Sequence, residues 1–345
     1  MRLLSFRTAA GASYGVARAD GVVDLGRRLG DRFPTLRALL EAGPAGLDAA
    51  RAEQGADHAL DTISFLPVVP DAQKIIGIGL NYRSHVAEAA GREPPPFPRV
   101  FSRWNDSVVG HGEALPRPIA SEQFDYEGEL ALIIGKPGRH IAKQSAFEHI
   151  AGYACFTDGS LRDWQQHTTT SGKNFFRSGA CGPWMVTADA VPDPTALTLA
   201  SRLNGKQVQH ASTGDLIYDI PTLLAYISAI TPLAAGDIIA TGTPEGVGSR
   251  RKWRERCATP SLPRKARAAW MSFSRLRAAW PANRPFTASM RRLMPPISPP
   301  SRPQSRRRVC GTARARRCAA RAKWLLPWPN VLPGASQRIS CRTSW

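Results

Sequence analysis

Asp125-Tyr126-Glu127-Gly128-Glu129-Leu130-Ala131-Leu132-Ile133-Ile134-Gly135 is the stretch whose reading decides the fold. Apolar and β-branched residues run to its end, and Gly135 with Pro137 stops it, which predicts a β-strand. Side chains alternate faces along a strand, so the spacing puts Asp125, Glu127 and Glu129 on one side, opposite Tyr126, Leu130 and Leu132. Like charges side by side repel, and strands ordinarily avoid carboxylates. A hard divalent cation turns that repulsion into attraction, because carboxylate oxygens are its ligands. A solvated strand face is the other reading of the same pattern.

Upstream, Lys74 to Gly79 has the pattern of a buried strand and leads into Leu80 to Gly91, whose second half predicts a helix ended by Gly91. His85 and Glu88 are three apart and share one face of that helix. A carboxylate beside an imidazole orients it and raises its basicity, as a general base requires; an ordinary surface pair has the same spacing. The proline-rich Glu93 to Pro98 predicts a loop, followed by a strand at Val100 to Trp104 and its turn at Ser107 to Gly110.

Downstream, Ile150 to Thr157 predicts a strand that delivers Asp158 at its end, followed by a short helix carrying Arg162 and Gln165 on one face. Two glutamates and a third carboxylate suffice to hold a cation with positions left open, although Asp158 at a strand end also suits a helix N-cap. Arg162 offers a planar fork of donors to a carboxylate. Lys173, after Gly172 in a predicted loop, could polarise a carbonyl or an oxyanion; no phosphate-binding loop surrounds it. Asn204-Gly205 marks a hairpin, Asp219 to Ile230 a helix with Pro221 in its first turn, and Gly236 to Gly248 a strand running into a glycine-rich loop. That loop presents N–H groups and Thr hydroxyls to an anion but lacks the dinucleotide fingerprint.

Residues 1–70 predict a small α+β module, with strands near Leu3 to Phe6, Tyr14 to Ala17 and Val22 to Leu25, and helices at Thr35 to Ala42 and Leu47 to Ala52. Pro67 to Pro70 predicts the link into the catalytic domain, 71–250. The formal charge of +19 belongs to residues 251–345, where 23 Lys and Arg face one acid, Glu255; the remaining 26 acids outnumber 23 bases before it. The tail is rich in Arg, Pro, Ser, Ala and Trp and has no sustained hydrophobic period, so it predicts a disordered basic segment. Its composition matches the out-of-frame translation of a GC-rich gene. A nucleic-acid arm is the rival reading, binding non-specifically. The cysteines have no zinc-ligand spacing, and no apolar run approaches membrane-spanning length, so a reducing cytoplasm is expected.

Taken together, Gly79-Leu80-Asn81-Tyr82 through His85 and Glu88, the Asp125 to Glu129 segment, Asp158 to Gln165, Gly172 to Phe175 and Gly242 to Gly248 resemble, in order, the fumarylacetoacetate hydrolase family. The likeness is to its acylpyruvate hydrolase and 5-carboxymethyl-2-hydroxymuconate isomerase-like branch. The resemblance implies a mixed β-roll of the α+β class, a homodimer, and Mg²⁺ or Mn²⁺ held by Glu127, Glu129 and Asp158. It implies His85 and Glu88 as the water-activating dyad, with Lys173 beside the reacting group and Arg162, Gln165 and Thr243 facing substrate. The implied substrate is a 2-oxo or 2,4-dioxo acid, cleaved hydrolytically through an enolate; isomerisation and decarboxylation use the same intermediate. Thr157 stands where the family has Asn, and the segment Gln166 to Ser171 is slightly short. After about Arg251 the closing strands are not recognisable, and their loss would cost more than the roughly 5–15 kcal/mol that holds a domain folded. An inactive family remnant is therefore a further alternative.

Overall fold

The computed structural model describes residues 1–88 and 93–250, and the backbone of 265–266 and 270–273. The chain begins with the hairpin β1 (Arg2–Thr8) and β2 (Gly11–Ala17), followed by β3 (Val22–Asp24). Asp24 caps α1 (Leu25–Leu29) by accepting from Arg27 N, and Thr35 caps α2 (Leu36–Glu41) through Ala38 N. Then come α3 (Pro44–Ala52), with Pro at its start, and β4 (Ser64–Phe65). The chain continues with β5 (Ile75–Gly79), α4 (Arg83–Ala87), β6 (Arg99–Arg103), β7 (Val108–Val109), β8 (Leu115–Pro116) and β9 (Phe124–Asp125). It continues through β10 (Gly128–Ile134), β11 (Ile150–Thr157), β12 (Ser160–Leu161), α5 (Thr169–Lys173), β13 (Gly179–Cys181) and β14 (Met185–Thr187). The hairpin β15 (Thr198–Leu203) and β16 (Lys206–Ser212), α6 (Ile220–Ile230) and β17 (Ile238–Ala240) follow.

One mixed sheet carries most of these strands, in the order β3-β2-β1-β14-β11-β10-β17-β5-β6. β17 and β5 run parallel, as do β13 and β7, and the other pairs are antiparallel. β1 pairs with β14, so the N-terminal residues join the same sheet as the later strands, and the expected link at Pro67 to Pro70 buries Val68 and Val69 in the core. All seven residues of β10 are buried. Ala131 and Ile133 pack in a cluster with Leu36, Leu39 and Leu40 of α2. Leu130, Leu132 and Ile134 pack in another with Leu223, Leu224 and Ile227 of α6. A strand covered on both faces needs apolar residues at every position, which is why Leu130 to Ile134 does not alternate. Each fully buried Leu or Ile contributes roughly 1.5–3 kcal/mol.

The strand expected over 125–134 is broken. Asp125 pairs with Ser160 in the small β9–β12 ladder, Tyr126 and Glu127 leave strand geometry, and β10 begins pairing at Gly128 with Thr157. The break frees Glu127 O to accept from Asp158 N at 2.8 Å, which joins the two acidic segments through the main chain. Lys173 is also not in a loop: it is the last residue of α5, whose N-cap Thr168 accepts from Ser171 N. The expected helix carrying Arg162 and Gln165 is a 3-10 turn, Trp164–Gln166, with Arg162 just before it. α1 was not foreseen. Asn204 and Gly205, both at positive φ, make the expected two-residue turn of the β15–β16 hairpin.

The end expected for the helix at Gly91 lies outside the described residues, as does the expected disordered tail, except for two segments. There β18 (Lys265–Ala266) pairs with β8 and β19 (Trp270–Phe273) pairs with β15, two strands the sequence reading did not anticipate. No helix among the described residues is long and apolar enough to cross a membrane.

Candidate metal centre and active site

Neighbouring β10 and β11 bring the acids together. Glu127 and Asp158 lie one residue beyond the Gly128–Thr157 pair, and Glu129 follows on the same edge. Glu127, Glu129 and Asp158 each offer an oxygen within 4.8 Å of the others, and all three are buried. Burying carboxylates costs several kcal/mol each unless they are paired or bound to a cation.

Three cationic side chains meet this acidic group. Lys173 Nζ lies 2.5 Å from Glu127 Oε2, donates to Asp158 Oδ2, and reaches the Asp158 carbonyl at 3.3 Å. Arg162 Nη1 lies 2.6 Å from Glu127 Oε1, its Nε donates to Asp125 Oδ2 at 2.8 Å, and Nη1 also reaches Gln165 Oε1 at 3.0 Å. Arg103, fully buried, donates to Asp158 Oδ1. Asp125 is no ligand here: it holds Arg162 and accepts from Gly248 N at 2.8 Å and Ser249 N at 2.9 Å, which ties down the end of the glycine-rich loop. Four buried carboxylates (Asp125, Glu127, Glu129, Asp158) thus face three cations (Arg103, Arg162, Lys173).

The imbalance falls on Glu129. Burial, then the charge of Asp158, then that of Glu127 push its pKa well above the usual carboxylate value, against Lys173 and the Gly242 N–H bonded to it at 2.8 Å. For Glu127, burial also pushes upward, but Arg162, Lys173 and His85 outweigh it and bring the pKa to about 2. Lys173 is raised: burial opposes its charge, and Asp158, Glu127 and Glu129 overcome that. An all-oxygen donor set with one carboxyl short of positive charge fits a hard divalent cation, which would favour the ionised form of Glu129.

His85 stands close enough to this group to lower the Glu127 pKa. Its Nδ1 is 2.7 Å from Glu88 Oε2, and Glu88 Oε1 accepts from Gly246 N at 2.8 Å. The carboxylate favours the tautomer with the proton on Nδ1, leaving the Nε2 lone pair to accept a proton. A cavity of about 440 Å³ opens beside the dyad, lined by Glu88, Gln209, His210, Glu245, Gly246 and Val247. Of the sequence-predicted residues, the structure brings Glu127, Asp158, Lys173, Arg162 and Gln165 into one bonded network, with Glu129 within 4.8 Å of Glu127 and Asp158. Thr243 is placed differently: its buried hydroxyl donates to Gly128 O at 2.9 Å and accepts from Gln209 Nε2 at 2.8 Å, so it braces the loop.

Sequence reasoning missed Arg103, Asn81 and Gln209 as working parts, whereas the expected donation by the loop's N–H groups is seen at Gly242, Gly246 and Gly248, each bonded to a carboxylate. Asn81, fully buried, donates to Tyr218 O and Thr241 O and accepts from Tyr218 N, fastening the start of α4 to the glycine-rich loop. Gly242 sits at φ +104, and a Cβ there would lie 2.8 Å from the Asn81 Cβ, so a glycine is what lets its N–H reach Glu129. The only advance signal for these residues was a polar residue inside an apolar strand or beside a glycine.

A profile described as fumarylacetoacetate (FAA) hydrolase C-terminal matches residues 74–272. The mitochondrial oxaloacetate tautomerase Fahd2a of Rattus norvegicus is 36% identical over 238 residues, which is 67% of this chain and 76% of that protein. The maleylpyruvate hydrolase of Sphingobium sp. SYK-6, solved with manganese(II) and pyruvate, is 32% identical with a TM-score of 0.60, over 72% of this chain and 90% of that one. The 5-carboxymethyl-2-hydroxymuconate delta-isomerase of Mycobacterium smegmatis is 29% identical with a TM-score of 0.57, over 72% and 89%.

Proposed function

The chain belongs to the fumarylacetoacetate hydrolase family, and from that premise we propose that it is a hydrolase cleaving the carbon–carbon bond of a 2,4-dioxo acid. The observation that carries this reading is the His85–Glu88 pair, its carboxylate fixed by Gly246 N–H. Proton abstraction from water needs such an oriented base; a keto–enol shift alone needs only a proton shuttle.

Magnesium or manganese, held by Glu127, Glu129 and Asp158, would supply positive charge to the substrate's carboxylate and 2-oxo group. The chain does the rest. Arg162, braced by Asp125 and Gln165, orients the carboxylate end. His85 Nε2 takes a proton from water as its oxygen attacks the distal carbonyl carbon, and Glu88 stabilises the imidazolium. The bond between that carbon and the adjacent methylene breaks, its electron pair passes into the 2-oxo group as an enolate, and Lys173 faces the charge that develops there. His85 returns the proton to the methylene carbon, giving a carboxylic acid and pyruvate. A homodimer, a cytoplasmic location and a role in aromatic catabolism belong to the same reading.

The second reading, tautomerisation or isomerisation without bond cleavage, is favoured by the rat and M. smegmatis relatives. Incubation with Mg²⁺ or Mn²⁺ and an acylpyruvate, a hydroxymuconate or oxaloacetate, followed by NMR, separates them. The proposal expects pyruvate and a second acid from the acylpyruvate, with cleavage abolished in His85→Ala. Keto–enol or double-bond exchange without any cleavage would transfer the assignment to the second reading.

A further inference from the structure

Each acid of the centre has one oxygen tied to the scaffold. Glu127 Oε1 meets Arg162 Nη1, Glu129 Oε2 accepts from Gly242 N, and Asp158 Oδ1 accepts from Arg103 Nη1. Arg162 is partly exposed, and Gly242 contributes a main-chain group. Arg103 is a side chain with no exposure at all, rooted at the end of β6. Its donors are all directed: Nη1 also reaches Gly159 O at 3.2 Å, Nη2 reaches Ser178 Oγ at 2.9 Å and Ser107 O at 3.4 Å, and Nε reaches Ser107 Oγ at 3.2 Å. A guanidinium anchored at so many points cannot swing aside when something binds at Asp158. Lys173, by contrast, touches the inner oxygens, Glu127 Oε2 and Asp158 Oδ2, from a flexible stem.

We propose that Arg103 is a positioning residue that holds Asp158 to ligation through a single oxygen and so tunes the centre toward small octahedral cations and against calcium. The inference rests on the metal reading above. Calcium takes six to eight oxygens at longer distances and commonly uses both oxygens of a carboxylate. Magnesium and manganese need fewer, in a tighter octahedron, and three single-oxygen acids leave room for water and a chelating substrate. With Oδ1 committed to a buried cation, Asp158 cannot become bidentate without breaking a charge-assisted bond and leaving Arg103 unpaired in the core.

The test is calorimetric titration of the full chain with MgCl₂, MnCl₂ and CaCl₂, reading the ratio of manganese to calcium affinity. The wild type is expected to prefer manganese. Arg103→Met keeps bulk but no donor, and the ratio is expected to fall by about tenfold or more, with calcium gaining. Arg103→Lys keeps the charge while losing the planar fork, and is expected to lie between the two. A merely structural role would lower stability without moving this ratio. If Arg103→Met does not fold, Arg103→Lys decides alone: a ratio equal to wild type overturns the inference. A wild type that binds none of the three cations removes the metal reading itself, an outcome distinct from an unchanged ratio.

Discussion

Among the described residues, the cluster of acids and arginines around Asp57 and the one at the metal centre are satisfied in opposite ways. Near the N-terminus, Asp57 meets Arg28 at 2.9 Å, pairs with the exposed Arg27, and accepts from Asp24 N at 2.8 Å. Asp24 in turn caps α1 and lies 3.1 Å from His58 Nε2. Burial pushes the Asp57 pKa up, but Arg28, the Asp24 N–H and Arg27 together bring it below its ordinary value. At the centre the same residue types produce the reverse, with Glu129 raised because burial and two neighbouring acids exceed the positive charge supplied. The first cluster closes on itself and ties a loop to a helix. The second is one positive charge short, and that shortage distinguishes a site from a brace.

The contrast can be broken most forcefully at the centre. Glu129→Gln or Asp158→Asn is expected to lower kcat by a thousandfold or more, about 4 kcal/mol of lost charge stabilisation, with cation affinity lost in parallel by calorimetry. His85→Ala is expected to reduce cleavage by about 10²–10⁴-fold while leaving cation affinity unchanged. A parallel loss of both would merge the dyad with the metal centre instead of setting it beside it. Asp125→Asn weakens the grip on Arg162, Gly248 and Ser249, and is expected to raise KM by about tenfold with a smaller change in kcat. At the other cluster, Asp57→Asn is expected to cost about 1 kcal/mol or less in denaturant unfolding and to leave kcat unaltered.

The opposite pKa shifts also give opposite pH limbs. Asp57 is depressed, so its stabilisation is present above its unfolded pKa and is lost as pH falls through the folded value. Glu129 is raised, so the metal-free chain is stabilised below the unfolded value and loses that contribution as pH rises through the folded one. Thermal melts across pH are expected to show the alkaline-side loss only without added Mg²⁺, since a bound cation favours the ionised acid. Persistence of that loss at saturating Mg²⁺ would mean the cation binds elsewhere.

What could be read in advance depended on sequence distance. His85 and Glu88 are three apart and Glu127 and Glu129 two apart, spacings from which a helix or a strand predicts a shared face. Asp158 was legible because Ile150 to Thr157 is a clear strand that must end there. Arg103 lies 55 residues from Asp158, and Gly242 lies 113 from Glu129, so no local period connects them. The break at Tyr126 and Glu127 was invisible for a related reason: β9 leaves for β12 while β10 stays with β11, a partner choice set by tertiary pairing. α5 escaped because five residues with an internal glycine carry almost no helical signal, yet it is what delivers Lys173 to the acids.

Anomalous diffraction from crystals grown with Mn²⁺ tests the central claim most directly. A single manganese peak within bonding distance of Glu127, Glu129 and Asp158 together is the expected result. A peak shared by only one of them, or manganese found solely on exposed carboxylates, would contradict it.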